Sequence, residues 1–410
     1  MYRTQVAIIG GGQAGLAMSH VLAHAGVDHV ILERGQAGSR WLAERAAHGR
    51  LLTPNWMTRL PGWTRDGMDG DGFMTFGEVA GMLSRYAASF DAPLLAGADV
   101  RRVRRQGRRY RVASSRGDFL ADAVVIATGH CQQPFIPRVA AGLDPDIGQL
   151  AAGDYVRAGR LAPGGVLVVG ASASGVQIAE DLALHGRDVI LAAGSHTRLP
   201  RRYRGRDIMW WLDRSGILDD STMGSEDISR PSLQLAGCRS DHAPDLPTLK
   251  ALGVRLAGRA IAFEGRNAVF ADDLAGNCAA ADRRMRRTLM RIEAMHLPDM
   301  IDGEGGVCPP PAFLPEGGVR KADLSAENIA TVIWATGYRR SYPWLDVPVL
   351  DSTGEIRQFG GITAVGGLYV IGLNAMRCRK SSFIDGVGRD ATELGAHLLA
   401  YLGQNLRRAA

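Results

Sequence analysis

The chain has 410 residues, enough for two domains with well-buried cores, and its 46% hydrophobic and 22% charged content is that of an ordinary globular protein. Its 52 glycines follow no repeat, which excludes a fibre and points to many tight turns. The net charge of +6 comes from arginine, densest in RRVRRQGRRYRV from Arg101, where basic residues alternate with Val100, Val103, Tyr110 and Val112 around a Gln-Gly turn. Without interleaved stacking aromatics, that stretch reads as a solvated hairpin and excludes a nucleic-acid face.

The first element, Gln5 to Ile9, is a buried-strand run that breaks at three consecutive glycines. It continues as a helix over 14–25, a strand over 29–32, and then Glu33. This is the order of a dinucleotide site. Gly10 permits the tight turn, Gly12 lets backbone approach a pyrophosphate, Gly15 lets helix and strand pack closely, and the acid accepts from an adenosine ribose. An FAD is therefore expected on Gly10, Gly12, Gln13, Ala14, Gly15, Glu33 and Arg34. The stretch is apolar for more than twenty residues, but its glycines, His20 and His24, and a strand start after only Arg3 argue against a membrane anchor.

The arginine hairpin at 98–117 leads into ADAVVIATGHCQQPFIP, an all-apolar strand ending in Ala127-Thr128-Gly129. Such a strand-to-turn junction brings backbone close to a cofactor, so Thr128, Gly129 and the backbone of Val100 join the expected FAD contacts. Near Leu161 a second unit begins, and VLVVGASASGVQIAEDL repeats the glycine device with Gly170, Ser172, Ala173, Ser174 and Gly175. Its second strand, 188–194, ends without a carboxylate and is followed by His196, Arg198, Arg201, Arg202 and Arg204. An acid there would repel a 2′-phosphate and arginines would bind it bidentately, so the expected second nucleotide is NADPH, with Arg198 and Arg202 as ligands.

Further on, RDIMWWLDRSGIL reads as an amphipathic helix, VRLAGRAIAFEGRNAVFADDL as a strand and hairpin, and AADRRMRRTLMRIEAM as a surface helix. PPPAFLPEGG at 309–318 reads as the return to the first domain. A second strand-to-turn junction, Ala335-Thr336-Gly337-Tyr338, matches the glycine fingerprints in number, and Gly337 is assigned to FAD. The C-terminal part gives a buried strand, a glycine-rich break with Gly372 and Asn374 as FAD contacts, and a helix over 388–402. That helix either aims its N-terminus at the flavin pyrimidine edge, stabilising the anionic reduced form, or caps the sheet. The fold class is α/β, with two Rossmann-like dinucleotide-binding domains. The FAD domain is discontinuous (1–155 and 319–410) and the NADPH domain inserted (156–318).

Five cysteines, Cys131, Cys238, Cys278, Cys308 and Cys378, stand apart, with no Cys-x-x-Cys and no Cys/His pair at metal spacing. This pattern indicates neither a disulfide framework, nor a redox dithiol, nor a metal site, and it fits a reducing cytoplasm.

Taken in order, Gly10-x-Gly12-x-x-Gly15, Ala127-Thr128-Gly129, Gly170-x-Ser172-x-Ser174-Gly175 and Ala335-Thr336-Gly337-Tyr338 resemble the group B flavin-dependent monooxygenases. That group includes flavin-containing monooxygenases, Baeyer-Villiger monooxygenases and N-hydroxylases. The resemblance spans nearly the whole chain. It implies that Trp41, in GSRW, lies near the FAD pyrophosphate. It also implies that Asn55, in LLTPNW, lies near flavin C4a, although an asparagine after Pro54 is also a natural turn residue. Trp56 and Met57 then line the pocket or belong to the core.

The chemistry implied is reduction of FAD by NADPH, addition of oxygen as a flavin C4a-hydroperoxide, and transfer of one oxygen to a small-molecule amine, hydroxylamine or sulfide. One motif departs from the family: in DIGQLAAGDYVRAGRL, Gly148, Tyr155 and Arg157 fit, but Ala151 or Ala152 stands where a histidine is expected. This weighs against ketone-to-ester chemistry. The competing readings are a flavoprotein reductase, an NADPH oxidase of the same fold, and a flavin-binding module without catalysis. The motifs leave open whether the chain works alone or as a homodimer.

Overall fold

The computed structural model describes residues 1–43, 49–63, 69–223, 233–237, 244–296 and 310–409. The chain opens with β1 (Tyr2–Ile9), α1 (Gln13–His24) and β2 (His29–Glu33), whose alternately facing Val, Ile and Leu side chains are almost all buried. α2 (Phe76–Ser89) starts with a capping box, Thr75 and Glu78 each closing the other's backbone N–H, and leads to β3 (Leu94–Ala96). The arginine stretch is a hairpin, β4 (Val100–Gln106) and β5 (Arg109–Ser114), turning at Gly107 with φ +63°. Its Arg102, Arg109 and Arg111 are paired with Asp346, Asp122 and Asp118. β6 (Gly117–Ile126) then runs through the middle of the sheet.

From β7 (Gln133–Pro134) the chain leaves this sheet and builds a second one. β8 (Gly148–Ala151), β9 (Gly165–Val169), α3 (Ala173–Leu184), β10 (Val189–Ala192), α4 (Ile208–Arg214) and β11 (Arg255–Ala257) follow. Next come a three-stranded antiparallel layer of β12 (Ala260–Glu264), β13 (Asn267–Phe270) and β14 (Lys321–Asp323), and the long helix α5 (Leu274–Glu293) between the last two strands. β15 (Ile329–Trp334) closes the unit. β16 (Tyr338–Arg339) pairs antiparallel with β7, so the outgoing and returning chains cross together. β17 (Leu368–Val370) and α6 (Ile384–Ala409) complete the first unit.

In the first sheet β1 lies between β2 and β6, all parallel, with β3 outside β2. The first half of β6 pairs with β5 and the second half with β17, so the C-terminal strand enters the sheet whose first strand began the chain. The second sheet is parallel in the order β11-β10-β9-β15-β8. Both cores are rich in aliphatic side chains: Val6, Ile8, Leu16, Val124 and Val370 in one, and Val166, Leu167, Val168, Leu191 and Val332 in the other, have no exposed surface. Burying each such side chain contributes about 1.5–3 kcal/mol.

This topology corrects the expected boundaries at 156 and 318. β8 and β15 both belong to the second sheet, because β15 is the strand that fills the gap between β9 and β8. The 310–318 segment does not return to the first unit either. Pro311 accepts from Arg198, Phe313 donates to Asp282, and Val319 bridges to Ala257. The crossings lie instead at β7 and β16. The helix expected at 388–402 is longer at both ends, and AADRRMRRTLMRIEAM is only half a surface helix, since Met285, Leu289 and Ile292 are buried.

Candidate cofactor-binding site

The two glycine turns have the same construction. Gly10 has φ +111°, and a Cβ there would lie 2.5 Å from the carbonyl oxygen of Ala127. Gly170 has φ +109°, and its Cβ would lie 2.3 Å from that of Ala335. Gly15 and Gly175 pack so closely that a Cβ would come within 1.9 and 1.8 Å of the Gly10 and Gly170 oxygens. Each fingerprint is thus held against its own Ala-Thr-Gly turn. Gly337, assigned to FAD from the sequence, therefore sits at the end of β15 beside the second fingerprint, where the chain begins to cross back. The cause is the placement of β15 next to β9.

Gly12 and Ser172 are the N-cap residues of α1 and α3, and no side chain caps either helix. A Cβ on Gly12 would meet nothing within 4 Å, so the turn is open on its outer side. Uncapped N–H groups at an open helix N-terminus suit the pyrophosphate of a dinucleotide. Gln13, Ala14, Ala173 and Ser174 occupy the first turns of these helices. The residues present therefore fit both nucleotides.

Around the first turn, Glu33 accepts from the N–H of Gly11 at 2.6 Å and from that of Gly35 at 2.8 Å. Arg34 is exposed beside it. On the side of β3 the Ala98 N–H donates to the Glu33 carbonyl at 2.8 Å; Val100, two residues on, pairs with Ser114 in the hairpin. Trp41 lies against Phe76 with ring centres 5.6 Å apart and donates to Gln13, which in turn donates to Ser382 just before α6. Gly372 faces Ala14, with room for no Cβ between them, and Asn374 is exposed next to it. Thr128 and Gly129 are both tied to Gln132, which donates to the Thr128 hydroxyl at 2.8 Å and the Gly129 carbonyl at 3.2 Å and accepts from Ser341 N–H at 2.8 Å. Gln132 thereby joins the outgoing and returning strands, a role that nothing in its sequence neighbourhood signals.

At the second turn the two expected arginines part company. Arg198 is turned inward: it is paired with Asp245 at 3.1 Å and Asp282 at 3.0 Å and donates to the Pro311 carbonyl, leaving it 7% exposed. Clamped between two carboxylates, this guanidinium is turned away from the second glycine turn. Arg202 is exposed and donates to the Gly205 carbonyl. Arg201 is held by Asp207 and the Leu52 carbonyl, and Arg204 by Glu293. His196 is buried, and burial lowers its pKa from the ordinary 6.5, so it stays neutral.

Asn55 starts a short turn, Asn55–Met57, after Pro54. Its N–H donates to the Gly72 carbonyl and its side-chain amide to that of Asp69, while the amide oxygen is buried without a partner among the described residues. Met57 is fully buried with Ile208, Met209 and Trp211, whereas Trp56 lines an open cavity of about 350 Å³ with Arg59, Asp71, Trp210, Asp213 and Arg214. The segment is pinned from both units, since Arg59 pairs with Asp385 of α6 at 2.5 Å and with Asp213 of α4 at 3.4 Å. In the departing motif, Ala151 is buried in register with Trp334, and the Tyr155 hydroxyl donates to Asp181. Gly148 and Tyr155 thus have structural partners, while Arg157 is exposed.

Comparison with known proteins agrees with this construction. The pyridine nucleotide-disulphide oxidoreductase family matches residues 7–206. An uncharacterized CzcO-like oxidoreductase of Geobacillus kaustophilus is 30% identical over 395 residues, covering 95% of this chain and 96% of that protein. A probable indole-3-pyruvate monooxygenase of Arabidopsis thaliana, YUCCA3, is 27% identical over 213 residues, 48% of each chain. Among solved structures, the flavin-containing monooxygenase from Stenotrophomonas maltophilia shares the fold with a TM-score of 0.69 at 21% identity, covering 98% of this chain and 99% of that one.

Proposed function

Since this chain belongs with the CzcO-like oxidoreductases, we propose that it is a flavin-dependent monooxygenase of the group B type, using FAD and NADPH in the reducing cytoplasm to oxygenate a small molecule at nitrogen or sulfur. The observation that carries the reading is the pair of glycine turns whose helices lack a side-chain cap, one followed by a second strand that ends in a carboxylate and the other by one that does not. In this reading Gly10, Gly12, Gln13, Ala14, Gly15, Glu33, Arg34, Trp41, Thr128, Gly129, Gly372 and Asn374 hold FAD. Gly170, Ser172, Ala173, Ser174, Gly175 and Arg202 hold NADPH.

Bound FAD supplies hydride acceptance and oxygen activation. In balance, NADPH, a proton, dioxygen and substrate give NADP⁺, water and the substrate carrying one oxygen. The protein's part is to orient and to exclude water. In this reading Asn55 contributes through its amide oxygen, which has no partner among the described residues, while its backbone and amide nitrogen are held by Gly72 and Asp69. The cavity between Trp56 and Trp210 is the proposed substrate approach, at the seam that Arg59 ties to both units.

A disulfide reductase reading finds little support. Among the described residues, Cys131, Cys278 and Cys378 are unbridged, and burial pushes the Cys278 thiol up to about 11 and raises that of Cys378, the opposite of an activated thiolate. Cys238 and Cys308 lie outside the described residues. Among those residues no helix is long and apolar enough to cross a membrane.

The test is stoichiometric: the FAD-loaded protein is given NADPH, oxygen and a panel of amines and sulfides, and product, hydrogen peroxide and NADPH are counted. One product per NADPH with some member of the panel supports the monooxygenase. Peroxide equal to NADPH throughout would mark an oxidase, and NADPH oxidation without oxygen uptake a reductase.

A further inference from the structure

The register of the two sheets allows the adenosine ends of the two sites to be compared residue by residue. Ile9 pairs with Leu32 in the first and Val169 with Ala192 in the second. Gly10 N–H donates to Leu32 O at 2.9 Å, and Gly170 N–H to Ala192 O at 2.9 Å. Ala193 therefore stands where Glu33 stands, and Ser195 where Gly35 stands. The side chain that clasps the first turn has no counterpart on the second strand.

α5 fills that place. Asn277 donates to the Ala193 carbonyl at 3.3 Å, and Arg284, two turns later on the same helix face, reaches the His196 carbonyl at 2.5 Å and the Ser195 hydroxyl at 3.4 Å. The Nε of Arg284 is buried without a partner among the described residues. Ser195 is exposed, and a Cβ on Gly194 would meet nothing within 4 Å, so there is room beside it. Arg283 and Arg287 stand exposed on either side of Arg284 along the helix. Burial and these two neighbours lower the Arg284 pKa below its ordinary 12.5. The nearest acid on the helix, Asp282, is already occupied by Arg198 and the Phe313 N–H. Among the described residues Arg283, Arg284 and Arg287 form no ion pair, and the Nε of Arg284 has no acceptor.

We propose that Arg284, with Ser195 and Arg287, forms the 2′-phosphate clamp of the second nucleotide, and that Asn277 fixes the strand end against which the adenosine ribose lies. NADPH selectivity then resides on the inserted helix α5, and Arg202 contributes to holding the nucleotide without discriminating its 2′-phosphate. The proposal rests on the reading that the second fingerprint holds a nicotinamide dinucleotide.

The experiment is calorimetric titration of the FAD-loaded protein with 2′,5′-ADP and with 5′-AMP, for the wild type, Arg284→Gln, Arg284→Lys and Arg202→Ala. The wild type is expected to prefer 2′,5′-ADP. Arg284→Gln should weaken that ligand about 10- to 100-fold, as for a charge-assisted contact, leave 5′-AMP binding intact, and be partly rescued by lysine. Retained 5′-AMP and FAD binding show that the variant is folded. If the wild type binds both ligands equally, the clamp is refuted while the dinucleotide reading survives with NADH. If it binds neither, the dinucleotide reading itself falls and the clamp with it. If discrimination disappears in Arg202→Ala but persists in Arg284→Gln, the cation has been assigned to the wrong element.

Discussion

Replacing Glu33 by glutamine tests the FAD site at its most specific point. The carboxylate accepts two backbone N–H groups, Gly11 at 2.6 Å and Gly35 at 2.8 Å, and so clasps the glycine turn to the chain beyond β2. Glutamine has nearly the same shape but one acceptor oxygen, and its NH₂ end would face an N–H that it cannot satisfy. One charge-assisted bond is lost and the other becomes neutral. With charge-assisted bonds at about 1.5–3 kcal/mol and neutral ones at about 1, and a discount for partial exposure, the cost is about 2 kcal/mol. If the turn must be closed to bind the pyrophosphate, that cost appears as a roughly 30-fold weaker FAD dissociation constant. The assay is titration of the apoprotein with FAD, followed by quenching of flavin fluorescence. A glutamine variant that binds FAD as tightly as the wild type would refute the argument, because it would mean that the clasp does not hold the site.

Gly175→Ala would place a Cβ 1.8 Å from the Gly170 oxygen; it should abolish reduction by NADPH while FAD remains bound, as read by anaerobic bleaching with NADPH and with dithionite. A variant bleached normally by NADPH would contradict the close packing. Asn55→Ala removes the donor to Asp69 and should raise the hydrogen peroxide released per NADPH without loss of FAD; unchanged coupling would assign Asn55 to the turn alone. Asp390 on α6 is 1% exposed, and burial raises its pKa from 3.8 to about 6, with Ser381, Arg377, Glu393 and Arg389 around it. A folded-state pKa above the unfolded one means stability that is complete below about pH 4 and lost as pH rises through 6, by about 3 kcal/mol at most. Asp390→Asn should flatten that decline and unfold at higher temperature than the wild type at pH 8, and equal pH profiles for the two proteins would rule the buried charge out.

Both fingerprints were legible in the sequence because their requirement is local. Where two backbone segments come within van der Waals contact only glycine fits, so Gly10, Gly15, Gly170 and Gly175 declare themselves whatever the rest of the chain does. The same holds for the arginine hairpin, whose strand-period alternation and Gly107 turn need no distant partner.

What the sequence alone could not decide was partnership across long separations. Nothing in IATVIW says that this strand enters the second sheet between β9 and β8, which sets Gly337 beside the second fingerprint. Arg198 and Arg202 look alike in a linear string, yet Asp245 and Asp282, contributed from distant segments, take one of them out of service. Arg284 is read as surface until α5 is laid across the end of β10. A glycine turn answers to its own backbone, whereas a charge answers to whichever carboxylate the fold brings near, and only the packed chain fixes that.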